Sequence, residues 1–99
     1  MLVHSVYFWL RDNLSDDERA AFRQGVESLR AIETVKEMHV GTPAATPDRP
    51  VLDRSYDLAL TVVLDDIPGH DIYQDHEIHH AFVENFSTYW TRVQIYDAD

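Results

Sequence analysis

The 99-residue chain has no cysteine, a single lysine at Lys36 and only three glycines. Without cysteine, disulfides, thiolate metal sites and thiol nucleophiles are excluded. Basic residues number 8 against 18 acidic ones, so 8 − 18 gives a formal net charge of −10 with histidine neutral. Binding to a phosphate backbone draws its affinity from lysine and arginine displacing condensed counterions, which sets nucleic acid aside as a partner. Long hydrophobic runs are missing too. The longest, residues 58–64, falls far short of the ~20 residues of a membrane span. Residues 1–10 lack a basic leader and are interrupted by His4 and Ser5, unlike a secretory signal. The expectation is a soluble cytoplasmic protein with no membrane association.

What is present points to a folded chain. Hydrophobic residues make up 44% and aromatics 11%, too apolar for a disordered acidic tail. The length predicts one domain over residues 1–99, with a modest core and little margin for an uncovered apolar face.

Residues 2–10 alternate with both sets apolar: Leu2, Val6, Phe8 and Leu10 with His4 on one side, Val3, Tyr7 and Trp9 with Ser5 on the other. That pattern predicts a strand covered on two faces. Ser15 followed by Glu18 spells a capping box, opening a helix whose stripe is Ala21, Phe22, Gly25, Val26, Leu29 and Ile32. A second strand over residues 35–40 ends at Gly41, and the prolines at 43, 47 and 50 make residues 42–53 a loop. Residues 55–64 read as a third strand, with Tyr56, Leu58, Leu60, Val62 and Leu64 on one face and Asp57, Ala59, Thr61 and Val63 on the other. Arg54 and Asp57 are placed to pair at its edge. Asp65 to Gly69 is turn chemistry. Residues 70–89 read as one or two helical pieces, and residues 92–96 close the chain as a fourth strand.

The order β-α-β-β-α-β predicts an α+β, ferredoxin-like antiparallel sheet with its first and third strands central and both helices on one face. Two helices cover one side only. The side bearing Val3, Tyr7, Trp9, Ala59 and Val63 is left apolar, which predicts a homodimer formed by two sheets packing face to face.

The chemistry concentrates in His70-Asp71-Ile72-Tyr73-Gln74-Asp75-His76-Glu77-Ile78-His79-His80, with His4 on the first strand. His76, Glu77 and His80 satisfy H-E-x-x-H, a zinc pattern when it lies on one helix. Val83 and Phe86 stand where the metzincin extension requires Gly and His, and the alternative is a polar, His-rich helix start; no metal and no cofactor are expected. A separate arrangement has His79, on the side of Phe82 and Phe86, pointing inward toward His4. Two imidazoles and the phenol of Tyr73 around an apolar cavity suit acid–base work. The alternative is a buried histidine satisfied by a tyrosine or a carbonyl.

The start from Val3 to Asp12, the capping box, the run Tyr73-Gln74-Asp75-His76-Glu77-Ile78-His79-His80-Ala81-Phe82 and the ending Val93-Gln94-Ile95-Tyr96-Asp97 together resemble the stress-responsive A/B barrel (Dabb) family over nearly the whole chain. The most specific piece is Y-x-x-H-x-x-H-x-x-F. The resemblance implies a dimeric α/β barrel, and many members of the family have no assigned activity. Its plant polyketide cyclases close a linear chain by aldol condensation in a pocket between sheet and helices. By that likeness His79 matches the catalytic histidine, Tyr73 its supporting tyrosine and His4 a pocket histidine. Leu58 and Val26 stand where those enzymes carry a polar pocket histidine and tyrosine, and Glu77 replaces a common proline, so the pocket here is greasier. The resemblance therefore implies a ligand site of His4, Val26, Leu58, Tyr73, His76, His79 and Phe82 for a small hydrophobic or aromatic molecule. If the protein is an enzyme, it implies a lyase- or cyclase-like proton transfer by His79, Tyr73 and His4. A cofactor-free monooxygenase is the analogy offered by the wider dimeric α/β barrel superfamily.

Overall fold

A computed structural model describes residues 1–99. Its strands are β1 (Leu2–Leu10), β2 (Glu37–Gly41), β3 (Leu58–Leu64) and β4 (Trp90–Ala98), in one antiparallel sheet of order β2-β3-β1-β4. The two strands with apolar residues in both alternating sets are the two central ones. In each, alternate residues are fully buried and the rest half-buried. No helix is long and apolar enough to cross a membrane.

Helix α1 (Asp16–Glu27) starts at the capping box: the Ser15 hydroxyl accepts from the Glu18 amide at 3.1 Å and the Glu18 carboxylate accepts from the Ser15 amide at 2.9 Å. Phe22 and Val26 of this helix, with Leu29 and Ile32 just beyond it, are sealed against the sheet. Gly25 lies directly under the Phe86 ring, close enough that a Cβ there would meet Phe86 Cδ2 at 2.8 Å.

The segment after β3 forms two helices, α2 (Ile67–Asp75) and α3 (Glu77–Phe86). The expected turn is itself the helix start. Asp66 caps α2 by accepting from the Gly69 amide at 2.9 Å, and Pro68 in the first turn removes only a donor that has no helical partner. Between them His76 is extended, at φ −67° and ψ 145°, and caps α3 with its own Nδ1, which accepts from the Ile78 amide at 3.1 Å. The H-E-x-x-H run is therefore not on one helix.

Two sequence assignments are corrected. Regular strand geometry begins at Leu58 rather than residue 55, so Tyr56 escapes the alternation and packs on Tyr7 across the opposite face, ring centroids 5.0 Å apart. Asp57 does not pair with Arg54. Its carboxylate accepts from the Leu10 amide at 2.7 Å and faces Arg19 at 3.6 Å, while Arg54 pairs with Asp48.

The core is a sheet-to-helix layer in which Phe8, Phe22, Phe82 and Trp90 meet ring to ring, with centroids between 5.2 Å and 6.2 Å. Such tilted and edge-to-face contacts add about 0.5–1.5 kcal/mol per pair beyond area burial. On the other face Val3, Tyr7, Trp9, Ala59 and Val63 are half-buried. Trp9 donates to the Ser55 hydroxyl at 3.0 Å and lies under the Arg92 guanidinium at 4.1 Å, beside a groove of about 370 Å³ lined by Tyr7, Tyr56 and Tyr96.

Candidate functional site

Directly opposed residues of antiparallel strands project from the same face of a sheet. His4 on β1 is flanked by Val62 of β3 and Asp97 of β4, so strand register alone brings the Asp97 carboxylate to the His4 ring. His4 is 2% exposed, and its Nδ1 lies 2.5 Å from Asp97 Oδ1. A carboxylate only accepts, so the imidazole donates.

Helices α2 and α3 set three more rings beside it. Tyr73, 1% exposed, meets the His4 ring at a centroid distance of 5.7 Å and the His79 ring at 5.1 Å, both edge to face. His70, one turn before Tyr73, meets His4 at 5.2 Å. The result is a row of rings, His79, Tyr73, His4 and His70, along the seam between sheet and helices.

Three of these rings, His79, Tyr73 and His4, line a cavity of about 260 Å³ in which 10 of the 13 lining residues are hydrophobic, and His70 stands outside it. For scale, an apolar cavity of ~150 Å³ binds benzene. The lining residues Val83 on α3 and Ile95 on β4 are 39% and 42% exposed, which places the mouth between α3 and the β4 edge.

Burial governs the electrostatics. Desolvation holds His4 below the ordinary imidazole value, the hydrogen bond and charge of Asp97 oppose it, and His70 adds to it. Desolvation lowers His79 likewise, helped by His4, His80 and His70. The Tyr73 phenol is pushed up by burial. At neutral pH the wall therefore presents neutral imidazoles and an un-ionised phenol, an environment that suits an apolar guest with one polar group.

Of the residues expected at a ligand site, His4, Tyr73, His79 and Phe82 line this cavity. Val26 and Leu58 do not: both are sealed in the core away from it. His76 is also outside, occupied as the α3 cap and by Glu33, whose carboxylate lies 3.2 Å from its Nε2. Tyr73 and His79 make a ring contact rather than the hydrogen bond a catalytic pair requires. Sequence reasoning missed Val83, Trp90, Val93 and Ile95 as lining residues, although the alternation of Val93 and Ile95 places them on one strand face. It missed His70 and Asp97 as neighbours of His4, because no local pattern joins these three positions.

The sheet order, the helices on one side and the seam cavity define a ferredoxin-like α+β domain. The chain matches the stress responsive A/B barrel domain over residues 2–99, and it belongs to that family. Several solved structures share the fold. A protein from Arabidopsis thaliana is similar at 19% identity and a TM-score of 0.82, over 100% of this chain and 94% of that one. A dimeric ferredoxin-like protein of unknown function from Thermobifida fusca is similar at 22% identity and a TM-score of 0.79, over 98% and 88%. A hydroxynitrile lyase from Passiflora edulis is similar at 16% identity and a TM-score of 0.80, over 98% and 90%. The comparison with curated proteins gives no match.

Proposed function

We propose that the protein binds a small hydrophobic or aromatic molecule in the cavity between sheet and helices, oriented by the polar rings of His4, Tyr73 and His79. The observation that carries this reading is an apolar space left open beside the buried rings of His4 and Tyr73 and the half-buried ring of His79. A core that only needed filling would close around such groups, because protein interiors are packed to crystal-like density. The direct test is calorimetric titration with a small aromatic ketone such as acetophenone, against the wild type and Val83→Trp. Val83 is exposed at the mouth, so an indole there plugs the cavity without entering the core. Binding lost in Val83→Trp supports the reading; equal binding in both proteins contradicts it.

A second reading of the same cavity is a lyase- or cyclase-like enzyme. Its support is His79, held in its neutral, basic form inside the cavity. His79 takes a proton next to a carbonyl, Tyr73 orients the base by edge-to-face packing of its ring rather than by a hydrogen bond, and His4 polarises or positions the ligand. The Passiflora edulis relative is a lyase by name, on the same fold. Exchange of the methyl protons of acetophenone with D2O, accelerated by the wild type and not by His79→Phe, supports the enzyme; absence of acceleration leaves the binding reading alone.

The chain is further proposed to work as a homodimer. The half-buried face of Val3, Tyr7, Trp9, Ala59 and Val63 is the surface a second copy covers, and the Thermobifida fusca relative is described as dimeric.

A further inference from the structure

The geometry points to a divalent transition-metal site formed by His4 Nδ1, His70 Nε2 and an Asp97 carboxylate oxygen, at the side of the cavity where β1, β4 and α2 meet. The three ligand atoms lie within 4.8 Å of one another and come from three elements distant in sequence. Two imidazoles and one carboxylate are a donor set for zinc-like ions, not for magnesium or calcium, which take oxygen ligands.

The second observation concerns His70. Its Nδ1 lies 3.1 Å from Asp71 Oδ1, and since the carboxylate can only accept, Nδ1 carries the proton. Nε2 of a neutral His70 is then a bare lone pair. It is buried, has no hydrogen-bond partner, and sits 3.9 Å from Asp97 Oδ2. A lone pair facing a carboxylate oxygen with nothing between them is unfavourable, and a cation there answers both. The Asp71 contact is the outer carboxylate that commonly fixes the tautomer of a metal-bound histidine.

Metal–ligand bonds of about 2.0–2.2 Å in a tetrahedron put neighbouring ligand atoms roughly 3.4 Å apart. His4 Nδ1 lies 2.5 Å from Asp97 Oδ1 and His70 Nε2 lies 3.9 Å from Oδ2, so metal binding requires the carboxylate to shift, widening the first separation and closing the second. The ion takes the place of the proton that His4 Nδ1 shares with Asp97, and the His4 ring then carries its proton on Nε2. Water completes the fourth position. The site is distinct from the H-E-x-x-H run, whose His76 is occupied as a helix cap.

The test is a Zn²⁺ titration of untagged full-length protein by calorimetry, with His70→Asn, Asp97→Asn and His76→Ala alongside. One ion per chain, reversed by EDTA, is expected. The first two variants should lose at least about tenfold in affinity and His76→Ala should keep it. Wild-type protein that binds no Zn²⁺, or His70→Asn and Asp97→Asn that bind it as tightly as wild type, overturns the site. If either variant fails to fold, imidazole ¹⁵N shifts of the wild type on Zn²⁺ addition decide. Shifts at His4 and His70 support the site, and shifts confined to His76 and His80 overturn it. Acetophenone binding by His70→Asn, whose altered residue is outside the cavity lining, separates failure of this site from failure of the proposed ligand cavity.

Discussion

His4 Nδ1 and Asp97 Oδ1 lie 2.5 Å apart, tying the buried start of β1 to the far end of β4 across 93 positions of chain. Burial and this carboxylate act on the imidazole in opposite directions, with burial the stronger. Replacing Asp97 by Asn removes its charge and leaves at most a weaker, neutral hydrogen-bond acceptor, so both influences that raise the His4 pKa are reduced. The expected outcome is a His4 pKa lower in Asp97→Asn than in wild type, read by NMR titration of the ring. An unchanged or higher value contradicts the assignment.

Stability should carry the same signature. His4 and His79 both bind protons more weakly in the folded chain than at the ordinary value of 6.5, so as pH falls the unfolded chain gains protons first. Their contribution is fully present above pH 6.5 and is lost as pH falls below it toward the folded values. Each group can contribute a slope of at most about 1.4 kcal/mol per pH unit. Urea unfolding at pH 7.5 and 5.5 should show a larger loss for wild type than for His79→Phe, a comparison that cancels the relief of acidic repulsion common to both. Equal losses would remove His79 from the account.

Gly25→Ala tests the packing of α1 on α3. Alanine gains about 1 kcal/mol in helix propensity, but overpacking costs typically 1–3 kcal/mol. The Phe86 ring cannot swing away freely, since Phe22, Phe82 and Tyr89 contact it. A net destabilisation of about 1 kcal/mol is expected, lowering Tm by roughly 4–8 °C. A stabilised variant would mean that Phe86 yields.

Trp9→Glu places a charge in the middle of the proposed seam. Wild type should elute as a dimer by size exclusion with light scattering, and the variant as a monomer or as unfolded chain. Unchanged elution volume and stability in Trp9→Glu would contradict the dimer.

Much of the fold was legible because its signals are local. The alternation of residues 2–10 and the Ser15–Glu18 box each depend on neighbours a few positions apart. Tyr56 was misplaced because the hydrogen bond that holds Asp57 to the end of β1 ends the regular pleat, and nothing in the alternation marks that point. The start of α2 looks like a turn in the sequence because Asp, Pro and Gly serve helix starts and turns alike.

The site was legible only in part. His4, Tyr73 and His79 stood out as chemistry-bearing residues on apolar faces, whereas Val26 and Leu58 were carried over by likeness and sit deeper than the cavity. His70 and Asp97 acquire meaning only once strand register and the turn of α2 bring them to His4, a long-range fact invisible in any window of sequence.

The central claim is that the seam cavity, not the aromatic sheet face, receives a small apolar molecule. Chemical-shift mapping with acetophenone tests it most directly. Saturable shifts at Tyr73, His79, Phe82 and Val93, abolished by Val83→Trp, are the predicted result. Shifts confined to Tyr7, Trp9 and Tyr56, or none at all, would contradict it.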